Sequence, residues 1–219
     1  MPRQRTPTAP AQLLLLILFI AACSPAAPVL GPHPAGTPAA DYDDALATWT
    51  RKARDYRNFE SRIITAATYL SPRFIEAMAA EHQRIFSPTG SEQASWLKGH
   101  TDETARSEVF FVAVSTRDRG WNDLEQPDSI WRLYLETDRG DKVSPERIVA
   151  IRGQPPVLAH FFPHLGHFSI GYWVVFPRYP VYRDGEGLPR PVIDPSVSWF
   201  RLRMRSPVAS VDLTWKLEG

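Results

Sequence analysis

VFFVAV, residues 109–114, is apolar at every position and stops at polar Ser115-Thr116. A run of that length suits a strand covered on both faces, on one side by a second sheet and on the other by helices. Downstream the pattern becomes alternation. Phe168, Ile170, Tyr172, Val174 and Phe176 share one face, with Ser169, Gly171, Trp173 and Val175 on the other. Ser198, Phe200, Leu202 and Met204 alternate with Trp199, Arg201 and Arg203. Val211, Leu213, Trp215 and Leu217 alternate with Ser210, Asp212, Thr214 and Lys216, as expected of an outer strand closing a sheet. Trp131, Leu133 and Leu135 alternate with Arg132, Tyr134 and Glu136, and Thr137–Asp141 supplies a turn with Gly140 open to positive φ. Val143–Ile151 predicts one further strand, with Pro145 at its start or at an edge. Val157–Phe161 reads as a short strand. The expected fold is mainly β: an antiparallel β-sandwich with two N-terminal helices packed at one face or end.

Those helices come from the stretch before residue 109. Tyr42, Ala45, Leu46, Trp49, Ala53 and Tyr56 form a 3–4 spaced stripe that predicts a helix from Asp41 to about Arg57. Asp41, Asp43 and Asp44 at its start, and Arg51, Lys52, Arg54 and Arg57 toward its end, complement a helix dipole. Phe59–Leu70, with Ile63, Ile64, Thr65 and Thr68, predicts a strand. Ser71-Pro72 gives an N-cap with proline at the first helical position, and Phe74, Ile75, Met78, His82 and Ile85 make the apolar stripe. His82 is expected as a hydrogen-bonded histidine at the core edge. Ser87–Ser107, with proline, glycine and many polar residues, reads as a loop pinned by Trp96 and Leu97.

The amino terminus carries a separate signal. Arg3 and Arg5 precede an apolar run, Leu13–Ala22, and no acid occurs before it. A bilayer-spanning helix needs about twenty apolar residues, so this shorter run reads as the core of a secretory signal peptide. It ends in Ile20-Ala21-Ala22-Cys23, an aliphatic residue, two small residues and cysteine. This resembles the lipobox of bacterial lipoproteins. The resemblance covers residues 1–23. It implies that Cys23 receives diacylglycerol on its thiol, that residues 1–22 are removed, and that the new amine is acylated with a fatty acid such as palmitate. Two or more acyl chains hold a protein stably on a membrane where one holds it marginally. Ser24 stands where aspartate marks inner-membrane retention in Gram-negative lipoproteins. The resemblance therefore implies the outer membrane, facing the periplasm; in a Gram-positive cell it would be the outer face of the plasma membrane.

Ser24–Ala40 repeats proline at 25, 28, 32, 34 and 38 among small residues. Such a segment buries too little apolar surface to offset its ordering entropy and reads as a tether. At about 3.1 Å per residue it would span up to roughly 50 Å. The expected organisation is a signal peptide over 1–22, a lipidated cysteine and tether over 23–40, and one globular domain over 41–219. Removing residues 1–22 takes two of the 25 basic residues and no acid, leaving 23 cations, 24 carboxylates and a formal charge of −1. That balance gives no reason to expect nucleic acid as a partner. Cys23 is the sole cysteine, so its lipidation leaves no thiol for a disulfide, a zinc site or a nucleophile.

Three stretches are candidates for chemistry. His160, His164 and His167 lie within AHFFPHLGHF and could hold zinc or copper with an open position for hydrolysis, or could hydrogen-bond around a buried Phe-Phe-Pro corner. Pro177–Pro195 is a long proline-rich connection. Its Tyr179 and Tyr182, with Arg178, Arg183 and Arg190, form either a recognition surface for an envelope protein or glycan or tyrosines packed against the sheet. Trp121, in Arg119–Asp123, is a third candidate of the same kind. Ser169 lacks the spacing of a nucleophile elbow, and Gly185-Glu186-Gly187 has no third glycine. The reading that results is a lipid-anchored, non-enzymatic binding or envelope-assembly module with no cofactor beyond the acyl groups on Cys23. The alternative is a metal-dependent enzyme or metal-binding protein built on the three histidines.

Overall fold

A computed structural model describes residues 40–180 and 190–217. Cys23, the tether up to residue 39, Tyr182 and Arg183 lie outside them. The chain forms two antiparallel sheets packed face to face, with helices against the outside of one. In order, the elements are α1 (Ala40–Trp49), β1 (Thr50–Arg57), β2 (Glu60–Tyr69), α2 (Pro72–Phe86), α3 (Gly90–Thr104) and β3 (Ser107–Thr116). Then come β4 (Arg132–Thr137), β5 (Lys142–Val143), β6 (Arg147–Ile151), α4 (Pro156–Phe161), β7 (Ile170–Pro177), β8 (Trp199–Arg205) and β9 (Ser210–Lys216). One sheet runs β1-β2-β3-β7-β6 and the other β5-β4-β8-β9.

β3 sits at the centre of the larger sheet and is buried on both faces, as its sequence requires. Phe110, Val112 and Val114 point between the sheets, meeting Leu202, Met204 and Trp215. Phe111 and Ala113 point outward, beneath the helices, with Trp173 and Val175 of β7. Aromatic rings fill the space between the sheets: Phe200 stacks on Trp215 with centroids 5.2 Å apart, and Tyr69 meets Phe200 edge-on at 5.0 Å. β9 is the outer strand of the smaller sheet and packs against β1. There the Arg51 Nε donates to the Thr214 carbonyl and the Ser210 amide donates to Asp55, so side chains cover part of two exposed ladders.

Four expectations are corrected. The helix from Asp41 ends at Trp49, and Thr50–Arg57 is β1. The Trp49 carbonyl accepts the Trp215 indole N–H at 2.8 Å, a tertiary contact that sequence periodicity cannot anticipate. Once extended, Lys52 and Arg54 share one face of β1 and Ala53 turns toward the core. Ser87–Ser107 contains a full helix, α3. Thr89 and Glu92 form a reciprocal capping box at its start, and Thr101 and Thr104 donate back to carbonyls one turn earlier. Val143–Ile151 is two strands in different sheets, broken at Ser144-Pro145-Glu146. Proline has no N–H for a ladder, and the chain changes sheets there. Val157–Phe161 belongs to α4; Pro156 opens it, where a missing N–H costs nothing. Ser71 caps α2 as expected, accepting the Phe74 amide at 3.1 Å.

Candidate functional site

The outer face of the larger sheet is covered unevenly. Thr68, Phe111 and Trp173 form one row across β2, β3 and β7, and here the helices and Phe162 fill the space above. One row nearer the β1–β2 hairpin, Lys52 opposes Ala66, Ala66 opposes Ala113, and Ala113 opposes Gly171. In the next row Arg54 opposes Ile64, and Ile64 opposes Ser115. Ala66 and Ala113, both small, leave a low floor. The chain leaving α4 crosses above it through His164, His167 and Phe168, and the result is an open trough of about 670 Å³. Gly171 lets that crossing lie close to the sheet: a Cβ there would stand 3.2 Å from both Leu165 Cδ1 and Phe111 Cζ.

The trough is apolar with a basic side. Ile64 is 47% exposed and Phe168 81%, so both present hydrocarbon to a guest. Lys52 and Arg54 stand along β1, and the Arg54 guanidinium lies 5.5 Å from the centroid of the Tyr56 ring. His164 is tucked edge-on against Phe111, ring centroids 5.5 Å apart. Burial, and secondarily the Lys52 charge, pushes its pKa down to about 4, so the ring is neutral at physiological pH. Its Nε2 is buried without a hydrogen-bond partner. A ligand with an apolar body and an anionic group would find the floor, the two exposed hydrophobes and the two cations in one place.

The three predicted histidines divide. His164 and His167 line the trough. His160 belongs instead to a cluster around the buried carboxylate of Glu81, with Nε2 2.8 Å from Glu81 Oε1. Arg84 donates to the same carboxylate through Nε and Nη2, each at 2.7 Å, and the cluster joins α2 to α4. Among the described residues, no three His, Cys, Asp or Glu side chains are grouped so as to hold a metal ion. His82 is buried and hydrogen-bonded to Gln93 at 2.8 Å, as expected, and stacks on Trp96 at 4.5 Å.

The other candidates lie apart from the trough. Tyr179 is 50% exposed. The proline-rich connection is packed down at its far end, where Val192, Ile193 and Val197 enter the core between the sheets. Arg178 donates to the Thr104 carbonyl and Arg190 pairs with Asp141. Trp121 closes a short 3-10 turn, and its carbonyl accepts the Trp131 indole N–H at 2.6 Å. Sequence reasoning missed Lys52 and Arg54 as site residues because they fitted a helix end. It placed Phe168 on a strand, sharing a face with Ile170, whereas β7 starts at Ile170 and Phe168 precedes it in the exposed crossing. Nothing in the sequence marked Glu81, whose partner His160 is 79 residues away. In comparisons with family models, curated proteins and solved structures, nothing matches this chain.

Proposed function

We propose that this protein is a lipid-anchored cell-envelope binding module, without enzymatic activity, whose trough takes an amphipathic anion. One observation carries the reading: an apolar floor of small residues lies directly beside Lys52 and Arg54, with Ile64 and Phe168 exposed above it. The lipobox at Ile20–Cys23 supports the location, with the acyl groups on Cys23 holding the chain at the outer membrane and the tether giving it reach. Exposed hydrocarbon with charge on one side favours a guest with an apolar chain and a carboxylate or phosphate head.

Two measurements test the two halves. Cys23→Ser should abolish incorporation of labelled fatty acid in the producing cell, and unchanged labelling would remove the anchor from the account. For the trough, residues 24–219 keep every described contact. They should bind a fluorescent long-chain carboxylate saturably, and its alcohol analogue more weakly. Lys52→Glu with Arg54→Glu should cost about tenfold or more, the worth of one charge-assisted hydrogen bond. Equal binding of acid and alcohol, or an unaffected double variant, would sink the ligand class while leaving the anchor standing.

A further inference from the structure

The opposite side of the sandwich is built differently. On the four-stranded sheet, Leu133, Leu135, Leu202, Met204, Val211 and Leu213 point inward. The outward positions carry six cations: Arg132, Lys142, Arg201, Arg203, Arg205 and Lys216. Two carboxylates share that face. Glu136 accepts from Arg201 at 3.0 Å and Arg203 at 2.8 Å, and Asp212 pairs with Arg205 at 2.6 Å and Arg203 at 3.3 Å. The face therefore carries a net +4 in a chain whose processed form totals −1, which leaves −5 for everything else. Charge is segregated here, not merely scattered.

The array is also held in place. Glu136 and Asp212 fix the three central guanidiniums in a row, and the Arg205 Nη1 donates to the Met204 and Val211 carbonyls. Each guanidinium has five N–H donors in a rigid fork, so two carboxylates leave donors over. Lys142 and Lys216 stand exposed at opposite margins of the face. Two aromatics lie among the cations. The Lys142 ammonium sits 4.0 Å from the Tyr134 ring centroid, and the Arg201 guanidinium 4.9 Å from that of Trp199. Tyr and Trp, with an apolar body and a polar tip, favour the headgroup zone of a bilayer.

We infer that this sheet face docks on a bilayer surface of anionic phospholipid headgroups. Charge complementarity carries the inference: an array of guanidinium and ammonium groups spread over four adjacent strands, with interfacial aromatics, meets a layer of phosphates. Arginine binds phosphate through paired, parallel hydrogen bonds. The inference rests on the envelope location proposed above and is independent of the trough, which opens on the other side of the sandwich. A lipid-anchored domain is already concentrated at such a surface, so even weak docking would orient it. The trough would then open away from the docked membrane.

The test uses residues 24–219, which have no acyl chains to confound it, in flotation with vesicles of phosphatidylcholine alone or mixed with phosphatidylglycerol. The expected result is binding to the mixed vesicles only, weakening steeply with salt. Lys142→Gln with Lys216→Gln should bind about twenty-five-fold more weakly, the product of about fivefold for each cation near an anionic surface. Both lysines are exposed, so the melting temperature should stay unchanged and certify the fold. Binding to neither vesicle, to both equally, or as strongly by the double variant would overturn the proposal. Capture by dextran sulfate without capture by vesicles would overturn it in favour of an anionic polysaccharide.

Discussion

On the outside of the five-stranded sheet, Phe111, Trp173 and Val175 lie under helices. At comparable positions outside the four-stranded sheet stand Arg201, Arg203 and Asp212. Both sheets contribute a mainly apolar face to the layer between them, so the larger difference lies in the second face. Covering that face excludes water and makes each contact depend on packing. Leaving it open keeps the effective dielectric high and makes each contact cheap to lose. The trough lies at the boundary between the two regimes, where the helical cover stops short of the hairpin end of β1 and β2.

The covered side should show the largest mutational effect. The Phe111 ring stacks on Phe162 with centroids 4.0 Å apart and meets Trp173 edge-on at 5.2 Å. Phe111→Ala should lower the unfolding free energy by about 3–5 kcal/mol, measured by urea denaturation. A loss below about 1 kcal/mol would mean that the helices rest loosely on the sheet, and the comparison would fail.

A second effect, smaller and pH-dependent, belongs to the edge of the covered region. The folded-state pKa of His164 is about 4, below its ordinary 6.5. Between these values the unfolded chain binds more protons than the folded one, so stability is present above pH 6.5 and is lost as pH falls toward 4. Comparing unfolding at about pH 7.5 and about pH 4.5, wild type should lose about 2–3 kcal/mol more than His164→Gln does. Identical losses would show that His164 is as well solvated folded as unfolded. Glu108 works in the other direction. Burial raises its carboxyl pKa, while the Tyr69 hydroxyl donates to it at 2.5 Å and offsets part of that rise. Its contribution is complete below the ordinary carboxylate range and fades as pH rises through the elevated value.

The same contrast explains what could be read from the sequence. β8 and β9 were legible because one face is open: polar and apolar residues alternate strictly in FRLRMR from Phe200 and in SVDLTWK. β3 was legible for the opposite reason, since VFFVAV, short and rich in β-branched and aromatic residues, suits a strand buried on both sides. The failures cluster where cover and opening meet. β1 carries Lys52 and Arg54 toward the trough, and with so few apolar residues its alternation could pass for the tail of a helix. α3 offers little apolar stripe, and the helix depends on its capping box and on Trp96 and His100, whose rings lie 4.0 Å apart. Of the candidate site, the sequence showed His164 and His167 but none of the floor. Ala66, Ala113 and Gly171 matter through their small size, and only strand register brings them side by side.

The smallest effect is expected on the open face, and it separates stability from binding. Asp212 pairs with Arg203 and Arg205 but is about a third exposed, so water and salt screen those contacts. Asp212→Asn should therefore change unfolding free energy by no more than about 1 kcal/mol. The same substitution raises the net charge of the face from +4 to +5 and frees guanidinium donors. If the face meets anionic headgroups, affinity for vesicles containing phosphatidylglycerol should rise about fivefold while stability stays flat or falls slightly. A stability loss as large as that of Phe111→Ala would show that the ladder is a buried structural element in disguise. Unchanged vesicle affinity with unchanged stability would reduce the cationic face to a solubilising surface. Only an open face allows affinity to rise while stability does not, because under the helices every side chain that binds is also one that packs.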